Sequence, residues 1–136
     1  MQRTNVLRAA LADLPPLGGK AANWSPIAED EDGCIILPFP DYHAGIDGLF
    51  RRFRAGEFGF AKDDRAYSRG MDRFGTISAL EREGAAAIAR MDRQECLLLL
   101  RFFDRQERFC DGARAAAHEQ GFLHALLKRL IALEDS

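Results

Sequence analysis

Four charged residues stand close together directly after a strongly apolar run, and their types suit either ion pairing or anion binding. They are Arg105, Glu107, Arg108 and Asp111, and the apolar run is Cys96–Leu100. Charges beside buried apolar surface cost free energy unless they are paired or put to use. One hypothesis is an internal lattice that ties Glu107, Asp104 and Asp111 to arginines across a helix junction. The other is a site in which arginine side chains hold a phosphate or a carboxylate through bidentate contacts. We favour the lattice.

A second group of basic residues could contribute to either arrangement. Arg51, Arg52 and Arg54 occupy the polar face of an earlier predicted helix. On the central helix, at about 100° per residue, Arg101, Asp104, Arg105 and Arg108 collect on one side. The alternative anion site would therefore draw its cations from two helices.

A thiol and an imidazole follow the charged segment, and they raise the question of catalysis. Cys110 could act as a nucleophile with His118 as a helper base, which needs an exposed sulfur and a base within hydrogen-bond reach. The sequence supplies evidence for neither. We therefore interpret Cys110 as a buried residue beneath a helix junction, name no catalytic residue, and keep His118 as a member of the candidate cluster.

No metal or cofactor motif is present in the sequence. His43, His118 and His124 lack the spacing of a zinc-binding set, and the three cysteines form no C-x-x-C pair. Phosphate-binding glycine loops, the dinucleotide-binding fingerprint and the hydrolase nucleophile elbow are also missing. We expect no metal, no cofactor and no nucleotide-dependent chemistry.

Composition describes an ordinary globular protein. The chain has 136 residues, 47% hydrophobic and 29% charged, with a formal net charge of −2. This length suits one domain, residues 1–136. The negative net charge disfavours nucleic acid as a partner, and no apolar run reaches the roughly 20 residues of a membrane span. Isolated cysteines and an N-terminus without a signal-peptide core predict a cytoplasmic protein.

The hydrophobic periodicity predicts helices around a small hairpin. Asp32-Gly33 is a turn signal before β-branched residues, and Asp41 is placed to cap the helix whose stripe is Ile46, Leu49, Phe50 and Phe53. Residues 57–75 show no sustained period. We predict a helix that begins at Thr76 or Ser78 and runs to Met91. The capping-box pattern Asp92–Glu95 follows it and predicts the start of a central helix over about 93–108. Two further helices are predicted over 113–119 and 122–133, and Asp111 is placed to cap the first of them.

These elements predict a mainly α fold. We expect a single domain of about five to six helices packed around a central buried helix, with a small β-hairpin near the N-terminus. The central helix should be the most buried element, since Cys96–Leu100, Phe102 and Phe103 leave it almost no polar face.

The segment from Arg105 to Gly112 resembles an uncharacterised bacterial family, domain of unknown function 6508. The specific part is the R-x-E-R-F-C-D-G pattern, followed by Ala115, Gly121 and a Leu-rich C-terminal helix. A Leu-Pro-aromatic segment before a tyrosine, residues 37–42 here, is shared as well. The similarity covers about Gly33 to Leu133. Family members often carry an aromatic residue soon after the Asp-Gly, where this chain has Ala113 and Arg114. The resemblance implies kinship and no particular activity.

Two functions are compatible with these features. The leading hypothesis is a small cytoplasmic protein that acts by binding a protein partner or a second copy of itself. The alternative is a small-anion-binding protein, or an unrecognised enzyme, that uses the charged junction 105–112. An open cleft at the junction would favour the alternative, and a sealed set of ion pairs would favour the first.

Overall fold

A computed structural model describes residues 2–36, 40–59, 76–108 and 110–135 of the chain. Within those ranges the fold is mainly helical, as predicted. The helices are α1 (Gln2–Asp13), α2 (Ala44–Arg54), α3 (Thr76–Glu83), α4 (Arg93–Gln106), α5 (Ala113–Glu119) and α6 (Phe122–Asp135), with a 3₁₀ helix over Gly84–Arg90. The strands are β1 (Ala22–Trp24), β2 (Ala28–Glu29), β3 (Ile35–Ile36) and β4 (Pro40–Tyr42). Leu37–Phe39, Phe109 and most of the predicted irregular segment, residues 60–75, lie outside the described residues.

The four strands form two separate antiparallel ribbons. Strand β2 pairs with β3 across the predicted hairpin turn, where the Asp30 carboxylate accepts the N–H groups of Asp32 and Cys34, each at 2.9 Å. Strand β1 pairs with β4, with Trp24 opposite Pro40. This second ribbon was not predicted, because Pro38 and Pro40 read as the end of a strand. A proline is tolerated in an edge strand, where its missing N–H costs no ladder bond.

The start of α2 differs from the prediction. Asp41 lies inside β4 and does not cap the helix. His43 is the N-cap, and its Nδ1 accepts the N–H of Gly45 at 3.0 Å. The pairing of β4 with β1 fixes the position of the chain before α2. As a result His43, and not Asp41, lies next to the unsatisfied N–H groups of the first helical turn.

Helix α4 is the buried centre of the structure, as predicted. It contributes Cys96, Leu97, Leu98, Leu99, Leu100 and Phe103 to the buried set. Its N-terminus has the predicted capping box, in which the Asp92 carboxylate accepts the Glu95 N–H at 2.8 Å and the Glu95 carboxylate accepts the Asp92 N–H at 3.2 Å. Apolar faces of α2 and α6 complete the core around it. Across the described ranges, no helix has the length and apolar character needed to cross a membrane.

The single helix predicted from about residue 76 to residue 91 is two elements. Helix α3 ends at Glu83, and the 3₁₀ helix then buries Ala87 and Ile88. Gly84 between them has φ +65°, which lies outside the α region. Hydrophobic spacing alone could not show this break, because the apolar residues continue on both sides of Gly84.

The packing of α1 against α2 requires a glycine at position 45. A Cβ atom on Gly45 would lie 1.8 Å from the carbonyl oxygen of Asp13 at the end of α1. Gly48, one turn later on α2, has room for a Cβ atom, which would make only an ordinary contact with Arg51 Nη2 at 3.8 Å. The two glycines of one helix therefore have opposite tolerances for a methyl group.

We expect Gly45→Ala to destabilise the protein by several kcal/mol, because the backbone of α1 would have to move away. The matched control is Gly48→Ala, which should be neutral or stabilising by up to about 1 kcal/mol, since alanine is the better helix former. Chemical denaturation of both variants gives the two free energies of unfolding. Equal values for the two variants would contradict the close approach of α1 and α2.

Candidate functional site

A single carboxylate organises the chain between α4 and α5. Glu107 Oε1 accepts the Tyr42 hydroxyl at 2.5 Å and the N–H of Arg114 at 3.1 Å, and Oε2 accepts the N–H of Gly112 at 3.1 Å. The first N–H groups of a helix have no intrahelical partner. Glu107 therefore accepts hydrogen bonds from N–H groups at the N-terminus of α5, although it lies five residues before Gly112, and its bond to Tyr42 links this N-terminus to strand β4.

The capping role predicted for Asp111 was wrong. The N-cap of α5 is Gly112, with no hydrogen bond from a capping side chain, and Asp111 is exposed. The reason is the left-handed conformation of Gly112, whose φ of +94° turns the chain so that Glu107 meets the helix N-terminus. A Cβ at this position would also lie 2.7 Å from the Trp24 ring. Only glycine fits both requirements.

Tyr42 is held as a neutral hydrogen-bond donor. Burial raises the pKa of its phenol well above the usual value, and the hydrogen bond to Glu107 and the charge of that carboxylate raise it further. The hydroxyl therefore keeps its proton at physiological pH and donates it to Glu107. This contact joins the β1–β4 ribbon to the α4–α5 junction.

Arg114 is held in the site by two acids and two aromatic rings. Its guanidinium carbon lies 4.7 Å from the centroid of the Phe50 ring and 5.9 Å from that of Tyr42. One terminal nitrogen binds Asp104 at 2.7 Å, the other lies 3.9 Å from Asp47, and the side chain is only 12% exposed. Stacking on aromatic faces and a short ion pair fix this side chain in one orientation. Arg114 was missing from the sequence-predicted set, although a lone cation within an alanine-rich helix is a signal that could have identified it.

An open cleft of about 430 Å³ lies at the junction. The described residues that line it are Arg54, Arg101, Asp104, Glu107, Arg108 and Arg114, which are four arginines and two acids. Asp104 binds Arg114 and lies 3.7 Å from Arg54, whereas Glu107 makes no ion pair with an arginine of the described residues. Among the described residues, the predicted lattice is seen at Asp104, and the arginine partners predicted for Glu107 and Asp111 stay a prediction. Glu107 accepts hydrogen bonds from Tyr42 and from backbone N–H groups, and among the described residues that line the cleft the guanidiniums outnumber the carboxylates.

The structure brings together only part of the predicted cluster. Glu107 and Arg108 line the cleft, with Arg108 exposed at its edge. Arg105 is half-buried on α4 and does not line the cleft, and Asp111 lies on the surface. His118 is fully buried in α5. The cleft instead uses Arg54 from α2 and Arg114 from α5, which the spacing along α4 could not indicate.

A family model matches residues 2–136, which is nearly the whole chain. Its description is "Family of unknown function (DUF6508)". The chain belongs to this family. Neither the curated proteins nor the solved structures contain a match. The matched region extends well beyond the Gly33–Leu133 range in which the resemblance was noticed, so that α1 and β1 are part of the family unit.

In this DUF6508 member, His118 packs in the core away from the cleft. Its ring centroid lies 5.5 Å from that of His124, whose Nε2 is 2.8 Å from the Pro15 carbonyl oxygen. Neither nitrogen of His118 makes a hydrogen bond of regular geometry within the described residues. Burial lowers the pKa of His118, and the neighbouring His124 lowers it further; backbone groups of Gly19 and Pro16 and the Glu119 carboxylate only partly oppose this. The surroundings therefore favour the neutral form of His118 in the folded protein.

The thiols offer no nucleophile in the cleft. Cys110 is exposed, so its predicted burial was wrong, and it does not line the cleft. Cys96 is buried in α4, where desolvation raises the pKa of its thiol to about 12 and keeps it protonated. Among the side chains that the structure describes, no group of three or more His, Cys, Asp or Glu residues is arranged to hold a metal ion.

The bond between Tyr42 and Glu107 gives a first prediction for this site. We expect Tyr42→Phe to cost about 1–3 kcal/mol of unfolding free energy, because it removes a hydrogen bond to an ionised acceptor. The ring that faces Arg114 is kept. In a Glu107→Gln background the same substitution should cost less, since a neutral amide accepts a weaker bond. A double-mutant cycle by urea denaturation measures the difference, and an equal cost in both backgrounds would remove the proposed coupling.

The buried His118 predicts a pH dependence of stability. Its pKa is lower in the folded protein than the value of about 6.5 expected in the unfolded chain. Below that pH the unfolded state binds the extra proton, so the free energy of unfolding should fall as the pH drops below about 6.5. His118→Leu should flatten this part of the pH profile, measured by denaturation above the range in which carboxylates titrate. An unchanged slope in the variant would assign the dependence to another group.

Proposed function

We propose that this protein binds a small oxyanion, such as phosphate, in the cleft between α2, α4 and α5. The single observation that supports the proposal is the lining of the cleft, in which the described residues are four arginines and two acids. The cleft volume of about 430 Å³ lies within the usual range of roughly 300–1,000 Å³ for ligand sites. Guanidinium groups match the geometry of phosphate and carboxylate oxygens through paired N–H donors.

The arrangement supports binding because Arg114 is held by contacts within the protein whereas Arg108 is exposed. Arg114 is fixed by Asp104 and by the Phe50 ring, so it loses little side-chain freedom when a ligand arrives. Arg108 is exposed at the rim and makes no ion pair with the described residues. A cation held in the wall and an exposed cation beside it are suited to binding an anion.

Binding is better supported than catalysis. The described residues that line the cleft offer guanidiniums and carboxylates, with no hydroxyl, thiol or imidazole among them. Covalent catalysis needs a nucleophile with a base within hydrogen-bond reach. Glu107 is an unsuitable general base, because its oxygens already accept three hydrogen bonds. The formal net charge of −2 also disfavours a nucleic-acid polymer. A small anion is compatible both with this negative net charge and with the arginines of the cleft.

The test is calorimetric titration of the full chain with orthophosphate at low ionic strength. Arg108→Gln should weaken binding by about tenfold, because a charge-assisted contact is lost while no buried carboxylate is left without a partner. The control is Arg82→Gln, which removes the same charge from an exposed position on α3 that does not line the cleft. Absence of phosphate binding, or equal affinities of the two variants, would overturn the proposal.

Partner binding and location stay predictions. Four large apolar side chains are exposed in the N-terminal part of the chain, at Leu17, Trp24, Ile27 and Ile35. This exposure supports binding of a protein partner or a second copy, which light scattering over a range of concentrations would test. Two of the three cysteines are exposed and unpaired, which supports the cytoplasmic location proposed from the sequence.

A further inference from the structure

A second cavity adjoins the cleft and shares one of its arginines. It has a volume of about 350 Å³ and is lined by Asp47, Arg51 and Arg54. Arg54 also lines the cleft, so this residue is common to the two spaces. The cationic surface therefore continues from the cleft along the last turn of α2.

Arg51 and Arg54 are oriented by local contacts on α2. They stand three positions apart, which places their Cβ atoms about 5–6 Å from each other on one helix face. The side chain of Arg51 passes near Gly48, where its Nη2 is 3.8 Å from the position of a Cβ atom. Nε of Arg54 donates to the Phe50 carbonyl oxygen at 3.2 Å and lies 3.7 Å from Asp104. These contacts use Nε, so the terminal nitrogens of Arg54 are placed to serve both spaces.

The acidic residue of the second cavity is partly compensated. Asp47 Oδ1 lies 3.9 Å from Nη1 of Arg114, the same guanidinium that binds Asp104. The positive charge of Arg114 therefore partly compensates the negative charges of both Asp47 and Asp104. Arg51 and Arg54 remain as a pair of exposed cations facing the second cavity.

We propose that the cleft and the second cavity hold the two phosphoryl groups of a diphosphate-containing ligand, with Arg54 contacting both. This inference rests on the proposed anion-binding function and names its ligand class. A phosphoryl group presents three oxygens in different directions, which arginines converging from several helices can share. A carboxylate presents two coplanar oxygens and is satisfied by one guanidinium fork. The arrangement of separate arginines on α2, α4 and α5 therefore suits linked phosphoryl groups better than a dicarboxylate.

The experiment compares three probes on the full chain by calorimetry, namely orthophosphate, pyrophosphate and malonate. Pyrophosphate should bind at least about tenfold more tightly than orthophosphate, because it adds charge-assisted contacts in the second cavity. Malonate, which carries two carboxylates at a similar separation, should bind more weakly than pyrophosphate.

The decisive variant is Arg51→Gln, which alters only the second cavity. It should lower the pyrophosphate affinity to about that of orthophosphate and leave orthophosphate binding unchanged. Arg108→Gln should weaken both ligands, and the Arg82→Gln control should weaken neither. Equal affinities for the two phosphates, or an Arg51→Gln variant that keeps the pyrophosphate advantage, would overturn this inference while leaving the cleft proposal in place. Failure to bind either phosphate would overturn both, and a preference for malonate would assign the two spaces to a dicarboxylate.

Discussion

The carboxylate of Glu107 is the contact on which the geometry of the site depends. It lies just beyond the end of the apolar helix α4. It accepts one hydrogen bond from the Tyr42 hydroxyl on β4 and two from backbone N–H groups at the start of α5. An isolated carboxylate in a half-buried position is costly, whereas one that accepts three hydrogen bonds is well satisfied. The same three bonds join elements that are distant in sequence. The direction of α5, and with it the position of Arg114, follows from this one side chain.

Arg114 shows how the fold keeps a buried cation without closing the cleft. Asp104 supplies its counter-charge on one side, and the Phe50 ring covers its face. A buried ion pair of this kind gives little net stability, because desolvation of both groups offsets their attraction. The main effect of the Arg114–Asp104 ion pair is to fix the orientation of the Arg114 guanidinium. Asp104 makes its shorter ion pair with Arg114, at 2.7 Å, and a longer one with Arg54, at 3.7 Å, while Asp47 lies 3.9 Å from Arg114.

Sequence reasoning succeeded where the signal is local or periodic. The capping box at Asp92, the stripe of α2, the buried run Cys96–Leu100 and the break at Gly121 all depend on neighbours within one helix, and the structure has each of them. The errors have one physical cause. Ribbon β1–β4, the capping of α5 by Glu107 and the pairing of Arg114 with Asp104 depend on contacts between distant segments. Charge types near residue 107 could be recognised from the sequence, but their partners were set by the tertiary fold.

The positive excess in the cleft is therefore a consequence of where the acids are used. Glu107 is committed to hydrogen bonds with uncharged donors, Asp104 is committed to Arg114, and Asp111 lies on the exposed side of the turn. The described guanidiniums of the cleft come from three helices and from the turn after α4, and like charges placed in this way repel one another in a space that water shields only in part. Since the core and the Glu107 contacts hold those helices in place, the repulsion cannot relax by moving the backbone. An anion in the cleft would relieve this repulsion, which is the physical basis of the proposal that this surface binds a ligand.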